Sequence, residues 1–569
     1  MLRAPRQLCL LMFALLLTAC GGGSSQVTPP TITLVTPIAT TIAAGSSLQL
    51  SAVVANSSNT TVLWYVNAIP GGNSAVGTIT PQGFYTAPDM PTANGTVVIS
   101  ASPQAYPAAV TSVTIGITFS NASLNGNFVF TLNGTQSASP WAAAGSFTAS
   151  NGQIGSGVED INGPSGISQA LAFTGSYFID ASGIGIATFT SSQGSVNLSF
   201  TLNTQGQAVV MRTDSGTTAS GNFYAQQSTA LTLTNLNAPY VFSFSGTASG
   251  KSLNTIGTFV TNGSNTLSYA EEDLNLGGST ANQPFSGSYS IGSGARGTAS
   301  FTDSTGTRSY SFYVVSPNQL QFIETDSSGN LTGTAFQQQS VTSTSTLAGG
   351  YAFYTAGSSG TSAYGTAGGF ATSTTVGSTI DAGTSDINLA GTVATNTTLT
   401  GSFTYGASGR GTITLSGASG ANNYVYYEIT PSSAFLLSSD SGINASGLLF
   451  LQTGGFSTAA LSGNYTLSLA SPAVATPTLS VGLLTLNGVG AIAGFENTND
   501  NGTASGQLSV TGIYAITASS TTTSTRGLMT LTTNGGASSN FVIYPISGSS
   551  LILLGESGSP VTGLLVSQY

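Results

Sequence analysis

The sequence contains no histidine and only two cysteines in 569 residues, and charged side chains make up 5% of it. Ordinary soluble domains carry about a quarter charged residues, so polar surface here must come from hydroxyls and amides. Without histidine there is no Ser-His-Asp triad and no histidine-ligated metal. Cys9 and Cys20 both fall within the first twenty residues, which leaves the remainder without a disulfide or a thiol nucleophile. There is no charged tract, and aromatic and β-branched residues are spread evenly, so disorder is excluded. The 18 acidic residues outnumber the 8 basic ones, and nucleic acid is excluded as a partner by charge.

What is present starts with a leader. "MLRAPRQ" carries two arginines, "LCLLMFALLL" is an apolar run too short to span a membrane as a helix, and "LTAC" closes it at 17–20. Leu17-Thr18-Ala19-Cys20 resembles the lipobox of bacterial lipoproteins. The resemblance implies cleavage before Cys20 and a lipid on its sulfur, with residues 1–19 as signal peptide. Each buried lipid methylene would contribute roughly 0.8 kcal/mol to anchoring. "GGGSSQVTPP" from 21 onward reads as a tether, spanning 20–29 with the acylated cysteine. Gly21 stands where an inner-membrane retention signal would place Asp, so the resemblance implies the outer membrane or cell surface.

Residues 30–119 form a first unit of alternating strands such as "SLQLSAVVA" and "TVVISASP". Trp64, Val66-Asn67, Gly77-Thr78-Ile79 and the run Gly83-Phe84-Tyr85-Thr86-Ala87-Pro88 resemble bacterial Ig-like domains. That resemblance implies a sandwich with Trp64 buried between its sheets, and a spacer or adhesive role.

The rest is a fourfold repeat. Leu124/Phe128, Leu236/Tyr240, Leu347/Tyr351 and Leu461/Tyr465 open the units at intervals of 112, 111 and 114 residues. Asp214, Asp326, Asp440 and Glu556 are each followed seven residues later by Gly221, Gly333, Gly447 and Gly563. Five residues beyond each glycine comes Gln226, Gln338, Gln452 or Gln568. The units are 124–227, 236–339, 347–454 and 461–569. Strand-like runs arrive about every thirteen residues in each, with Gly, Ser and Asn between them and no helical period. The fold class is therefore all-β: an Ig-like sandwich, then four antiparallel meanders. Closure into small up-and-down barrels removes free edges, with two-sheet sandwiches as the alternative.

"GVEDING", "AEEDLNL", "GTSDINL" and "GFENTND" recur in step and hold the candidate site residues. Strand parity puts Asp160 with Asn162, Asp273 with Asn275, Asp386 with Asn388 and Asn497 with Asn499 on one face. Glu159, Glu272 and Glu496 lie on the other, with Ile161 and Leu274. An inward carboxylate needs a partner. Arg296, Arg410 and Arg526, three of the basic residues beyond the leader, recur at one position and are the candidate inner charge partners. Unit two pairs Glu272 with Arg296 and unit four Glu496 with Arg526, but the pairing does not count out: unit three offers Ser385 beside Arg410, and unit one keeps Glu159 but has Ile184. Arg212 is a substitute partner there. For the Asp and Asn residues two readings stand: turns bonded to local backbone, or a ligand site for sugar hydroxyls or a cation. "NTNDNG" at 497–502 lacks the acidic first and twelfth positions of a calcium loop.

Function follows as an expectation: a lipid-anchored surface protein with a structural or adhesive role, not an enzyme. It has no cofactor or metal, and an envelope or extracellular polysaccharide or protein is its partner. The alternative is a glycan- or small-ligand-binding lipoprotein with one site per repeat.

Overall fold

A computed structural model describes residues 28–569 apart from 36–38, 228–231, 293, 295, 340–346, 374–376, 407, 419, 473–475, 518–524 and 537. Cys20 and the whole leader lie outside the described residues. Among the described residues no helix is long and apolar enough to cross a membrane.

The N-terminal unit is built of short strands. A five-stranded sheet carries Val62–Val66, Thr96–Pro103 and Thr111–Thr118, and a four-stranded sheet carries Gly77–Ile79 and Phe84–Thr86. Trp64, Val66, Tyr85 and Ile99 are buried in one core between them.

Each repeat is an eight-stranded meander that closes on itself. In the first, Gly126–Gln136 pairs with the next strand, Ser139–Ser150, and also with the last, Thr217–Ala225. The third closes the same way through Gly350–Ser359 and Ile443–Leu451. In the second the fourth strand is split at Phe285, its halves Ser279–Pro284 and Ser286–Ile291 pairing backward and forward respectively. The fourth closes through Ala491–Asp500, which pairs on both sides, and adds the short strand Thr503–Ala504. These are barrels, not sandwiches. Eight strands leave an interior that side chains fill. In the first barrel Phe130, Phe147, Phe173, Phe189 and Phe223 occupy it, with ring centroids 4.7 to 6.4 Å apart.

The tail glycines have a common cause. A Cβ on Gly221, Gly333, Gly447 or Gly563 would lie 1.7 to 1.9 Å from a carbonyl oxygen of the barrel's own first strand. The first and last strands therefore cross with bare backbone between them, which only glycine permits.

Outward-facing residues of the second strand are apolar because another barrel covers them. Ala144 packs with Tyr313 and Ile323, and Ile256 with Tyr427 and Leu437. Ala367 packs with Tyr544 and Leu554, and Val481 with Met211. The last contact runs from the fourth barrel to the first, so the four form a closed ring. All four line a shared cavity of about 580 Å³, where Thr131, Ser243, Tyr354 and Ser468 occupy equivalent first-strand positions.

Candidate functional site

The recurring polar residues lie on a second-strand neighbour, the third strand of each barrel, at the edge that meets the next barrel. Asp160 is fully buried and receives both forks of Arg296 from the second barrel, through Nε at 2.8 Å and through Nη2. The Tyr313 hydroxyl also donates to it, and the Ala170 amide donates at 3.0 Å. Asp273 receives Arg410 through Nε and Nη2, both at 2.7 Å, and Tyr427 at 2.8 Å. Asp386 receives Arg526 at 2.9 and 2.8 Å, and Tyr544. Bidentate guanidinium–carboxylate pairs of this kind fix orientation as well as adding energy. Hydrogen bonding to Asp160 holds the Arg296 guanidinium above its ordinary pKa despite burial. Burial, and then the neighbouring Asp160, push the Tyr313 phenol up.

The arginines are thus partners of the preceding barrel's aspartate, which corrects the pairing of Arg296 with Glu272 and of Arg526 with Glu496. The uneven count is resolved by the shift of one unit. Arg and Tyr are cross-strand neighbours in the second and third barrels, and Ile184 and Thr201 hold the same two positions in the first. They face the fourth barrel, whose aspartate position is Asn497. Both sides of that interface are neutral together, so no charge is stranded.

The asparagines complete the join in all four interfaces. Asn162, Asn275, Asn388 and Asn499 donate through Nδ2 to the carbonyls of Glu324, Ser438, Gly555 and Arg212, at 2.8 to 3.0 Å. Their Oδ1 atoms accept locally, as an Asx turn would, from Gly278, Gly391 and Gly502 in the last three units. The tail glutamines reach from the same barrel into the same neighbour. Gln226, Gln338, Gln452 and Gln568 donate through Nε2 to the carbonyls of Val314, Glu428, Pro545 and Leu202, at 2.6 to 3.2 Å. Each such bond contributes about 1 kcal/mol net, and a buried acceptor left empty costs more. The glutamines and tyrosines were unassigned by the sequence reading. The glutamines' signal was their fixed spacing from the tail glycines, which marks a repeat without saying across what the side chain reaches.

The glutamates lie inside their barrels. Glu272 receives Arg308 at 2.6 Å, Thr255 at 2.8 Å and Gln283 at 3.1 Å, and Glu496 receives Ser480. Glu159 is 4% exposed and, among the described residues, receives no hydrogen bond. Burial pushes its carboxyl up to about 7, with Arg212 pulling down and Asp160 adding to the rise. An acid raised on folding binds protons more tightly in the folded state, so its penalty is absent below about pH 4 and complete above pH 7. Glu159→Gln should therefore raise the melting temperature at pH 8, by an effect on the order of 3 kcal/mol, and leave it unchanged at pH 4. Equal shifts at both pH values in thermal melts would refute this.

Fold and site together define a multi-barrel all-β protein in which the recurring polar residues join one barrel to the next. No family model and no curated protein sequence matches the chain. Among solved structures, transferrin binding protein B from Haemophilus parasuis Hp5 is 12% identical, over 65% of this chain and 82% of that one, with a TM-score of 0.16. The isotype 1 transferrin binding protein B from serogroup B Neisseria meningitidis is 8% identical, over 64% and 84%, with a TM-score of 0.18. At these values the likeness carries neither the arrangement nor the activity of those proteins to this chain.

Proposed function

We propose that this chain is a lipid-anchored protein of the bacterial outer membrane or cell surface, with a structural or adhesive role and no catalytic one. Cys20 carries the lipid, residues 20–29 form the tether, and 30–119 form an Ig-like stalk below the ring of barrels. Its partner is an envelope or extracellular polymer, polysaccharide or protein. One observation carries the reading: the side chains that recur in every repeat are consumed in holding barrels together. A chain that spends its few charges on rigidity suits display better than turnover.

The test is Cys20→Ala in a Gram-negative host grown with labelled fatty acid. Wild type should incorporate label and sediment with membranes, and the variant should lose the label and appear in the soluble fraction. Undiminished labelling or unchanged sedimentation would overturn the anchor.

A further inference from the structure

The four barrels serve as internal controls for one another at the glutamate position, and the first departs from the rest. The three groups that satisfy Glu272 in barrel two are Thr255, Gln283 and Arg308. Their equivalents by strand register around Glu159 are Ala143, Leu171 and Val196. The hydroxyl is present in the other barrels as Thr366 and Ser480. Barrel one has kept the acid and replaced every donor with an apolar side chain.

In place of those donors Glu159 faces space. A cavity of about 110 Å³ opens at this end of the barrel, lined by Glu159, Trp141 and Arg212, with Gln136, Ser168 and Gln193 among the residues around it. Arg212 is held from behind: its Nε donates to Asp214 at 2.7 Å, and its guanidinium carbon stands 4.6 Å from the Trp141 ring centroid. Among the described residues nothing accepts from its Nη groups. The cavity thus presents a buried acceptor without a donor beside a fixed donor without an acceptor.

We propose that the mouth of barrel one binds the edge of a sugar residue, a neutral vicinal diol. One hydroxyl donates to Glu159 and its neighbour accepts from Arg212. A carboxylate or phosphate is repelled by Glu159 and Asp214, and an ammonium by Arg212. Beyond Glu159 and Arg212 the lining has no charged side chain, and it adds the hydroxyls and amides of Gln136, Ser165, Ser168 and Gln193, which suit a neutral ligand. A cavity of about 150 Å³ holds benzene, so this one admits a ring edge-on, with the remainder of the glycan outside. This site is single, in barrel one, and does not depend on lipid anchoring.

The experiment is titration of the purified full chain with the methyl pyranosides of glucose, galactose and mannose, followed by saturation-transfer NMR and calorimetry. At least one should bind saturably. Glu159→Gln should weaken it tenfold or more. Ala143→Thr, which restores the hydroxyl of the other barrels beside Glu159, should weaken it similarly while the melting temperature stays at or above wild type. The second variant tests the site with the Glu159 carboxylate left in place. Absence of saturable binding to any pyranoside, binding indifferent to Ala143→Thr, or saturation by methylammonium instead would each overturn the proposal.

Discussion

Arg296→Met should destabilise the chain by roughly 3–5 kcal/mol, because it strands the charge of a buried carboxylate. Asp160 is 0% exposed, and after the substitution it retains only the Tyr313 hydroxyl and the Ala170 amide. The protein itself contains the compensated alternative. At the junction of barrels four and one the same positions are Asn497, Ile184 and Thr201, and among the described residues no ion pair joins them. Asp160→Asn/Arg296→Ile should therefore recover most of the loss, since replacing both members of a buried pair removes the uncompensated charge. Urea denaturation gives the midpoints, and hydrogen exchange at the Ala170 amide reports the interface directly. A single substitution costing less than about 1 kcal/mol, the range of exposed pairs, would show that the pair is solvated and contributes little.

Gly333→Ala should be worse, with a loss beyond about 4 kcal/mol, the range reserved for a specific structural failure. The added Cβ would stand 1.9 Å from the Ser243 carbonyl oxygen and 2.8 Å from Phe244 Cα. Both neighbours are backbone or anchored to it, so no rotamer change relieves the clash. The last strand must separate from the first, and the barrel loses its closing ladder. Gly155→Ala is the control: nothing lies within 4 Å of its Cβ, and its melting temperature should match wild type. Thermal melts of both variants, with soluble yield, decide the matter. A Gly333→Ala protein melting within a few degrees of wild type would mean the strands can part without cost.

The sequence carried the fold class. Its strand-like runs read as all-β meanders, and the meanders close into barrels, the second through a split fourth strand. Alternation along "GVEDING" put Asp160 and Asn162 on one face and Glu159 with Ile161 on the other. In the structure the first two reach the neighbouring barrel, while Glu159 and Ile161 turn to the interior. The tertiary structure alone decided which partner each polar residue meets. Arg410 beside Ser385 reads as an ion pair half lost within its own unit. Its aspartate, Asp273, lies 137 residues earlier in the preceding barrel.

The physical reason is that side-chain parity is a local property of a strand, set by two bonds of backbone, and can be read without a fold. A buried charge is compensated in space. Repeat symmetry makes the offset of one unit and no offset equally regular along the chain, and only the closed ring distinguishes them. Glu159 shows the same division. Its presence was plain in the sequence, whereas the loss of its donors to Ala143, Leu171 and Val196 emerges only when three other strands are laid around it.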